Sequence, residues 1–247
     1  MKCILLAAGY ATRLYPLTEH RPKSLLDVAG KPLLEHILLK IVEVSEIDEV
    51  ILVSNAKFYE SFREWADRYT TNKKIVVLND GTFDNEHRLG AVADILFAIE
   101  HEQIQDDILV MAGDNLFDFS LMDFVAYYHK VQADCITVHE LSDRAALQQT
   151  GVVTVNEENV VIHFEEKPRE PQSNLAVPPF YIYRKETLPF FQQYLTEGHN
   201  PDAPGYFIPY LLTKTDVHAY SFIGKRYDVG TMESYLEVQK VYGQQQL

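Results

Sequence analysis

Five short runs of Ile, Val and Leu punctuate the first 140 residues, and the segments between them carry apolar residues at helical spacing. The runs are Cys3–Ala7, Glu49–Ser54, Ile75–Leu78, Ile108–Met111 and Cys135–His139. They lack the polar alternation of a half-solvated strand, so they predict strands covered on both faces. Between them, Pro32 opens a helix carrying Leu33, Leu34, Ile37, Leu38 and Ile41. Further helices are expected over Phe58–Tyr69, Leu89–Ile99 and Leu121–Tyr128. Strand and helix in alternation restrict the chain to an α/β, Rossmann-like mixed sheet, mostly parallel, with helices on both faces. In such sheets ligands bind beyond the carboxyl ends of the strands.

After about residue 140 the pattern changes. Gly151–Val155 and Val160–Phe164 flank Asn156-Glu157-Glu158-Asn159, which predicts a hairpin with a polar turn. A strand over Ala176–Tyr183, a helix over Glu186–Tyr194 and a loose segment over Thr196–Gly205 come next. A strand over Val217–Phe222 and a closing helix over Thr231–Tyr242 complete the series, with Gln244-Gln245-Gln246 read as a frayed end. The 247 residues are expected to form a single domain, with one half over about 1–140 and a small β-rich half over about 141–247.

Asp and Glu total 36 against 22 Lys and Arg, a formal net charge of −14. That disfavours nucleic acid and anionic membranes as partners, because both need a basic face. A small anionic ligand needs only a few local cations and stays open. Cys3 and Cys135 each fall inside a predicted strand and outside any paired spacing, as expected for small buried hydrophobes in a reducing compartment. The six apolar residues after Lys2 are too few for a signal peptide, and no run of ~18 apolar residues occurs, so a cytoplasmic location is expected.

The first run opens into Ala8-Gly9-Tyr10-Ala11-Thr12-Arg13-Leu14-Tyr15-Pro16-Leu17-Thr18, followed by Arg21-Pro22-Lys23-Ser24. Small side chains let a polyphosphate approach the backbone, and Arg13 and Lys23 can neutralise its oxygens. No Gly-Lys-Ser/Thr follows, and the Gly-x-Gly-x-x-Gly dinucleotide fingerprint is absent. Gly113-Asp114-Asn115 sits at the end of the fourth run, where a carboxylate can hold Mg²⁺ together with substrate phosphates. Tyr227-Asp228-Val229-Gly230-Thr231 sets a second Asp before the last helix. Each motif alone also suits a structural turn or helix cap. His36 and His163 read as residues of their elements, and no Ser-His-Asp, Cys-His or Asp-x-Asp grouping stands out.

Together and in this order the motifs resemble the sugar-phosphate nucleotidyltransferases, especially the glucose-1-phosphate thymidylyl- and uridylyltransferases in a short form without a C-terminal extension. The family's G-x-G-T-R loop reads here Gly9-Tyr10-Ala11-Thr12-Arg13, and its Gly-Asp-Asn-Leu-Phe segment runs from Gly113 to Phe117. Phe164-Glu165-Glu166-Lys167-Pro168 and the residues on to Val177 are the longest near-verbatim stretch, and Gly151-Val152-Val153 matches the sugar-side glycine.

The resemblance implies a nucleotide-diphospho-sugar transferase fold, with a nucleotide-binding half (about 1–140) and an acceptor-binding half (about 141–247). It implies transfer from a nucleoside triphosphate to a sugar-1-phosphate, yielding an NDP-sugar for polysaccharide biosynthesis and pyrophosphate. The triphosphate is dTTP or UTP by preference, with CTP open. Mg²⁺ is the implied cofactor, held by Asp114 and Asp228. Arg13, Lys23 and Lys167 are the implied catalytic residues: the first two on the leaving pyrophosphate, the third on the sugar phosphate. Nucleotide contacts are implied for Ala8, Gly9, Ala11, Thr12, Arg13, Lys23, Asn79, Arg88 and Asp114. Gly151, Glu166, Lys167 and Val177 are implied on the acceptor. The expected partners are these small molecules, with no nucleic acid or membrane, and the expected state is monomer or dimer. Neither an allosteric nucleotide site nor an acyltransferase is expected.

Three departures accompany the resemblance. Ala11 stands where a second glycine is usual, and its methyl group restricts the loop if φ must be positive. The segment from Asn79 to Gly90 has no aligned Gln and carries Arg88 near an expected glycine, which leaves the base open. Pro204-Gly205-Tyr206-Phe207-Ile208-Pro209-Tyr210-Leu211 is aromatic where the family is acidic. The acceptor therefore stays open between another sugar phosphate and a phosphorylated alcohol such as phosphocholine. A nucleotide-sugar-binding regulatory protein without catalysis is the alternative from another class, and a nicotinamide-dependent oxidoreductase a more distant one.

Overall fold

The computed structural model describes residues 1–244. Its strands are β1 (Lys2–Leu6), β2 (Asp27–Val28), β3 (Lys31–Pro32), β4 (Glu49–Ser54), β5 (Lys74–Asn79), β6 (Ile108–Ala112), β7 (Asn115–Phe117), β8 (Asp134–Glu140), β9 (Gly151–Val155), β10 (Val161–Glu166), β11 (Leu175–Val177), β12 (Phe180–Tyr183), β13 (Val217–Ser221) and β14 (Arg226–Asp228). Its helices are α1 (Leu33–Val42), α2 (Tyr59–Ala66), α3 (Ala91–His101), α4 (Leu121–Val131), α5 (Arg144–Leu147), α6 (Leu188–Thr196), α7 (Phe207–Leu211) and α8 (Met232–Gln244). The chain divides into two compact units, each assembled from separate stretches.

The first, here the loop unit, comprises Cys3–Arg88, Ala112–Leu121 and Gly224–Leu247. Every residue of β4 is buried, the apolar Val50–Val53 and the polar Glu49 and Ser54 at its ends alike, and β5 pairs with it in parallel from Glu49↔Lys74 to Ser54↔Asn79. β1 lies on the other side of β4. α1 buries Leu33, Leu34, Ile37, Leu38 and Ile41, the stripe its spacing predicts. A separate two-stranded ribbon joins β7 to β14 in antiparallel register, with Asp228 opposite Asn115.

The second, the hairpin unit, comprises Met1–Lys2, Leu89–Met111 and Met122–Ile223. Its strands run in the order β10-β9-β11-β8-β12-β6, with β13 added in parallel to β8. The remaining pairs for which a register is given are antiparallel. The β9–β10 turn is built by Asn156, whose Oδ1 accepts from Glu158 N and Val160 N, and Asn159 closes it at φ 61°. α6 and α7 bury an aromatic cluster in which Phe191 and Phe207 stack at 4.1 Å between ring centroids. Each such buried ring contributes roughly 2–3 kcal/mol of hydrophobic stabilisation.

The mixed α/β sheet with helices matches the expected class, and most element ends fall within one to three residues of their predicted positions. The boundary expected near residue 140 falls inside the hairpin unit. The run Ala176–Tyr183 is two strands rather than one, because Pro178 and Pro179 supply no N–H to a ladder. Asn115, read as part of a turn, opens β7. Gln244 closes α8, while Gln245 and Gln246 lie outside the described residues. Both cysteines are buried, and burial pushes both thiols above their ordinary range. Among the described residues no helix is long and apolar enough to cross a membrane.

Candidate functional site

Most of the expected site residues fall into two clusters, one in each unit; Thr12, Asn79 and Arg88 belong to neither. In the loop unit, β1 ends at Leu6 and the chain turns through Ala8 to Ala11 into a 3-10 turn, Thr12–Leu14. Ala11 is left-handed, at φ 49° and ψ 41°. Its carbonyl accepts from Thr18 Oγ1 at 2.8 Å and Leu14 N at 3.0 Å, which hold it there. A second 3-10 turn, Lys23–Leu25, presents Lys23. Leu6, Ala7, Gly9, Ala11, Lys23, Ser24 and Asp114 line one small concavity of about 60 Å³.

Left-handed alanine costs about 1 kcal/mol more than glycine at the same angles. Ala11→Gly is therefore expected to raise the melting temperature by about 2–4 °C. A thermal melt with an unchanged or lower midpoint would contradict this reading of the loop.

Gly113 delivers Asp114 to this concavity. Its N–H donates to Leu6 O at 2.9 Å, and a Cβ there would stand 3.2 Å from both Leu6 O and Ser24 Oγ. Asp114 Oδ2 forms an ion pair with Lys23 Nζ, and Oδ1 accepts from Asn115 Nδ2 at 2.7 Å. Asn115 Oδ1 in turn accepts from Arg226 Nη1 at 2.9 Å, and the same guanidinium nitrogen lies 3.4 Å from Asp228 Oδ2. The β7–β14 register thus sets Asp228 beside Asp114.

Burial pushes the Asp114 carboxyl up, but Lys23, Asn115 and Arg226 together hold the group below the ordinary carboxylate range. Asp228 is raised, by burial first and by the negative charge of Asp114 second, against the pull of Arg226, Lys23 and Arg13. Arg13 is exposed, and its Nη2 lies 3.9 Å from where a Cβ on Gly230 would stand. Three cations therefore face two carboxylates, a locally positive patch in an acidic chain.

Thr12 and Arg88 are exposed, Arg88 donating to Asn85 O at 2.8 Å. Asn79 is exposed at the end of β5, its Oδ1 accepting from Gly81 N at 2.9 Å.

In the hairpin unit, the strand register aligns Val177, Gly151 and Glu166 side by side across β11, β9 and β10. Thr150 Oγ1 donates to Val177 O, and Lys167 N donates to Thr150 O. Lys167 is exposed at φ 49°. A Cβ on Gly151 would stand 3.2 Å from Glu166 Oε2, and one on Gly205 would overlap that oxygen. The Glu166 carboxyl thus rests on two bare glycine Cα atoms. Burial raises its pKa, Lys167 opposing and Asp202 adding to the shift.

The structure brings Arg13, Lys23, Asp114 and Asp228 together, and separately Gly151, Glu166 and Val177. Sequence reasoning missed Asn115, Arg226 and Gly205 as members of these clusters. Arg226 stands two residues before Asp228 on β14, so a strand reading of that segment would have put both on one face. A larger cavity, about 630 Å³ between α3 and α6, holds none of the expected site residues.

The sequence profile of the family described as Nucleotidyl transferase matches residues 2–245. The bifunctional protein GlmU of Methanocaldococcus jannaschii is 30% identical over 240 residues, covering 97% of this chain and 54% of that protein. The chain thus spans about half the length of that relative. The UTP–glucose-1-phosphate uridylyltransferase AglF of Haloferax volcanii is 31% identical over 183 residues, 74% of this chain and 72% of AglF. Among solved structures, an apo UDP-glucose pyrophosphorylase superposes with a TM-score of 0.84 at 23% identity, over 100% of this chain and 99% of that one. That likeness establishes the shared fold.

Proposed function

The chain belongs to the nucleotidyl transferase family, and from that premise we propose that it condenses a nucleoside triphosphate with a sugar-1-phosphate to give an NDP-sugar and pyrophosphate. A phosphate oxygen of the sugar-1-phosphate attacks the α-phosphorus in line. The bond from that phosphorus to the bridging oxygen breaks, and pyrophosphate leaves with the electron pair. The attacking oxygen is already anionic, so no strong base is needed. The barrier lies in bringing two anions together and in charge growing on the leaving group, and positioned cations lower both.

The observation that carries this reading is the meeting of Asp114 and Asp228 amid Lys23, Arg226 and Arg13. Two carboxylates are the hard oxygen donors that Mg²⁺ accepts, and substrate phosphates complete its shell. Among the described residues no group of three or more His, Cys, Asp or Glu could hold a metal, so the protein would contribute this pair alone. Bound there, Mg²⁺ would neutralise phosphate charge. Arg13 and Lys23 hold the pyrophosphate as it departs, and Asp114 keeps Lys23 in place. In the hairpin unit Glu166 accepts from acceptor hydroxyls and the exposed Lys167 pairs with its phosphate. UTP and dTTP are the favoured donors, and the enzyme works in the cytoplasm on small molecules.

The test is Mg²⁺-dependent pyrophosphate release with UTP, dTTP, CTP and GTP crossed against sugar-1-phosphates and phosphocholine. One pair should turn over. Folded protein that binds a nucleotide and releases no pyrophosphate with any pair would favour a binding protein instead. Once the pair is known, Gly205→Ala should raise the acceptor KM about tenfold, a loss of ~1.4 kcal/mol, and leave the nucleotide KM unchanged. The added methyl displaces the end of the flexible Glu166 side chain and asks the Phe164 ring, 3.1 Å away at Cζ, to give by a few tenths of an ångström, so a thermal melt accompanies the assay. Equal changes in both KM values would remove Glu166 from the acceptor site.

A further inference from the structure

Tyr10 belongs to the loop that receives the triphosphate in the reading above, yet its side chain is buried, with 4% exposed. Its hydroxyl meets Thr82 Oγ1 at 3.1 Å. Thr82, also buried, donates its backbone N–H at 2.7 Å and its hydroxyl at 2.8 Å to Asp80 Oδ1. The single hydroxyl proton of Thr82 goes to Asp80, so Tyr10 is the donor in the first bond. The chain therefore runs one way, from Tyr10 to Thr82 to Asp80. Asp80 Oδ2 is buried without a hydrogen-bond partner, so the carboxylate is anchored through Oδ1 alone. The Asp80–Thr82 turn is itself fixed to the end of β4, by Asp80 N donating to Ser54 O and Ala56 N donating to Thr82 O, both at 2.8 Å.

The loop depends on such struts. A Cβ on Gly9 would meet nothing within 4 Å, so packing does not shape the backbone on that side. On one flank of Gly9, Asn55 Nδ2 holds Ala8 O at 2.8 Å. On the other flank stands Tyr10 on Thr82, and next to it the left-handed Ala11.

We propose that Thr82 and Asp80 are positioning residues for the nucleoside triphosphate, acting through Tyr10 to hold the Ala8–Ala11 backbone in the shape that receives the phosphates. This rests on the nucleotidyl-transfer reading and assigns it residues that touch neither phosphate nor metal.

The experiment is UTP binding by calorimetry in Mg²⁺ with the full chain, together with KM for both substrates. Thr82→Val keeps the shape and removes the hydroxyl; it should weaken UTP binding about five- to tenfold, the loss of one well-placed hydrogen bond. The acceptor KM should not move. Thr82→Ser and Asp80→Asn each keep the needed group and should stay within about twofold. Tyr10→Phe should match Thr82→Val, and the double variant should lose no more than either alone, because both cut one chain. Unchanged UTP affinity in Thr82→Val or Tyr10→Phe, or parallel rises in both KM values, overturns the proposal while leaving nucleotidyl transfer intact. Wild-type protein that binds no triphosphate overturns the nucleotidyl-transfer reading, and this proposal with it.

Discussion

Asp114→Asn is expected to lower turnover about a thousandfold, equivalent to ~4 kcal/mol of lost transition-state stabilisation, with the far-ultraviolet circular dichroism unchanged. The amide oxygen can still accept from Asn115, so the local hydrogen bond survives. The charge does not survive. Lys23 loses its counter-ion, and the carboxylate pair that would hold Mg²⁺ becomes a single carboxylate. Initial rates across a Mg²⁺ titration check this. Turnover within tenfold of wild type, from protein of normal dichroism, would remove Asp114 from the proposed metal site.

Lys23→Ala should lower turnover by about a hundred- to a thousandfold, the range for deleting one preorganised group from a charge-stabilising site. It should also destabilise the protein by about 1 kcal/mol, since it strips the partner from a carboxylate that is 27% exposed, a partly solvated pair. Lys23→Arg should recover little, because a planar fork does not replace a compact ammonium facing both a carboxylate and a phosphate. The informative assay runs the reaction backwards, where the KM for pyrophosphate should rise most. The Asp114→Asn, Lys23→Ala double variant should be far from additive. A normal pyrophosphate KM in Lys23→Ala would place the leaving group elsewhere.

What the sequence made legible follows from range. β4 could be bounded to the residue because six consecutive buried positions leave no ambiguity of period. The loop could be located because its small residues and cations are contiguous, and Ala11 could be marked as a constraint on φ. Partnership across the chain was not legible. Arg226 reaches Asn115 over 111 positions, and nothing local to either residue announces the other. Gly205 read as the end of the loose segment Thr196–Gly205, and its role as a floor for Glu166 appears only when the hairpin unit folds. The Ala176–Tyr183 run failed for a local reason, two adjacent prolines given less weight than the apolar residues around them.

The β7–β14 ribbon also bears on the order in which the molecule comes into being. Ribosomes emit the chain from its N-terminus, so the Ala8–Arg13 loop, Lys23 and Asp114 all exist as polypeptide before Asp228 is made. The strand that carries Asp228 finds its partner only when Arg226–Asp228 has emerged. Until then the nascent chain carries Lys23 and Asp114 and lacks the second carboxylate. The two aspartates thus meet only after every element from β1 to β13 has been made.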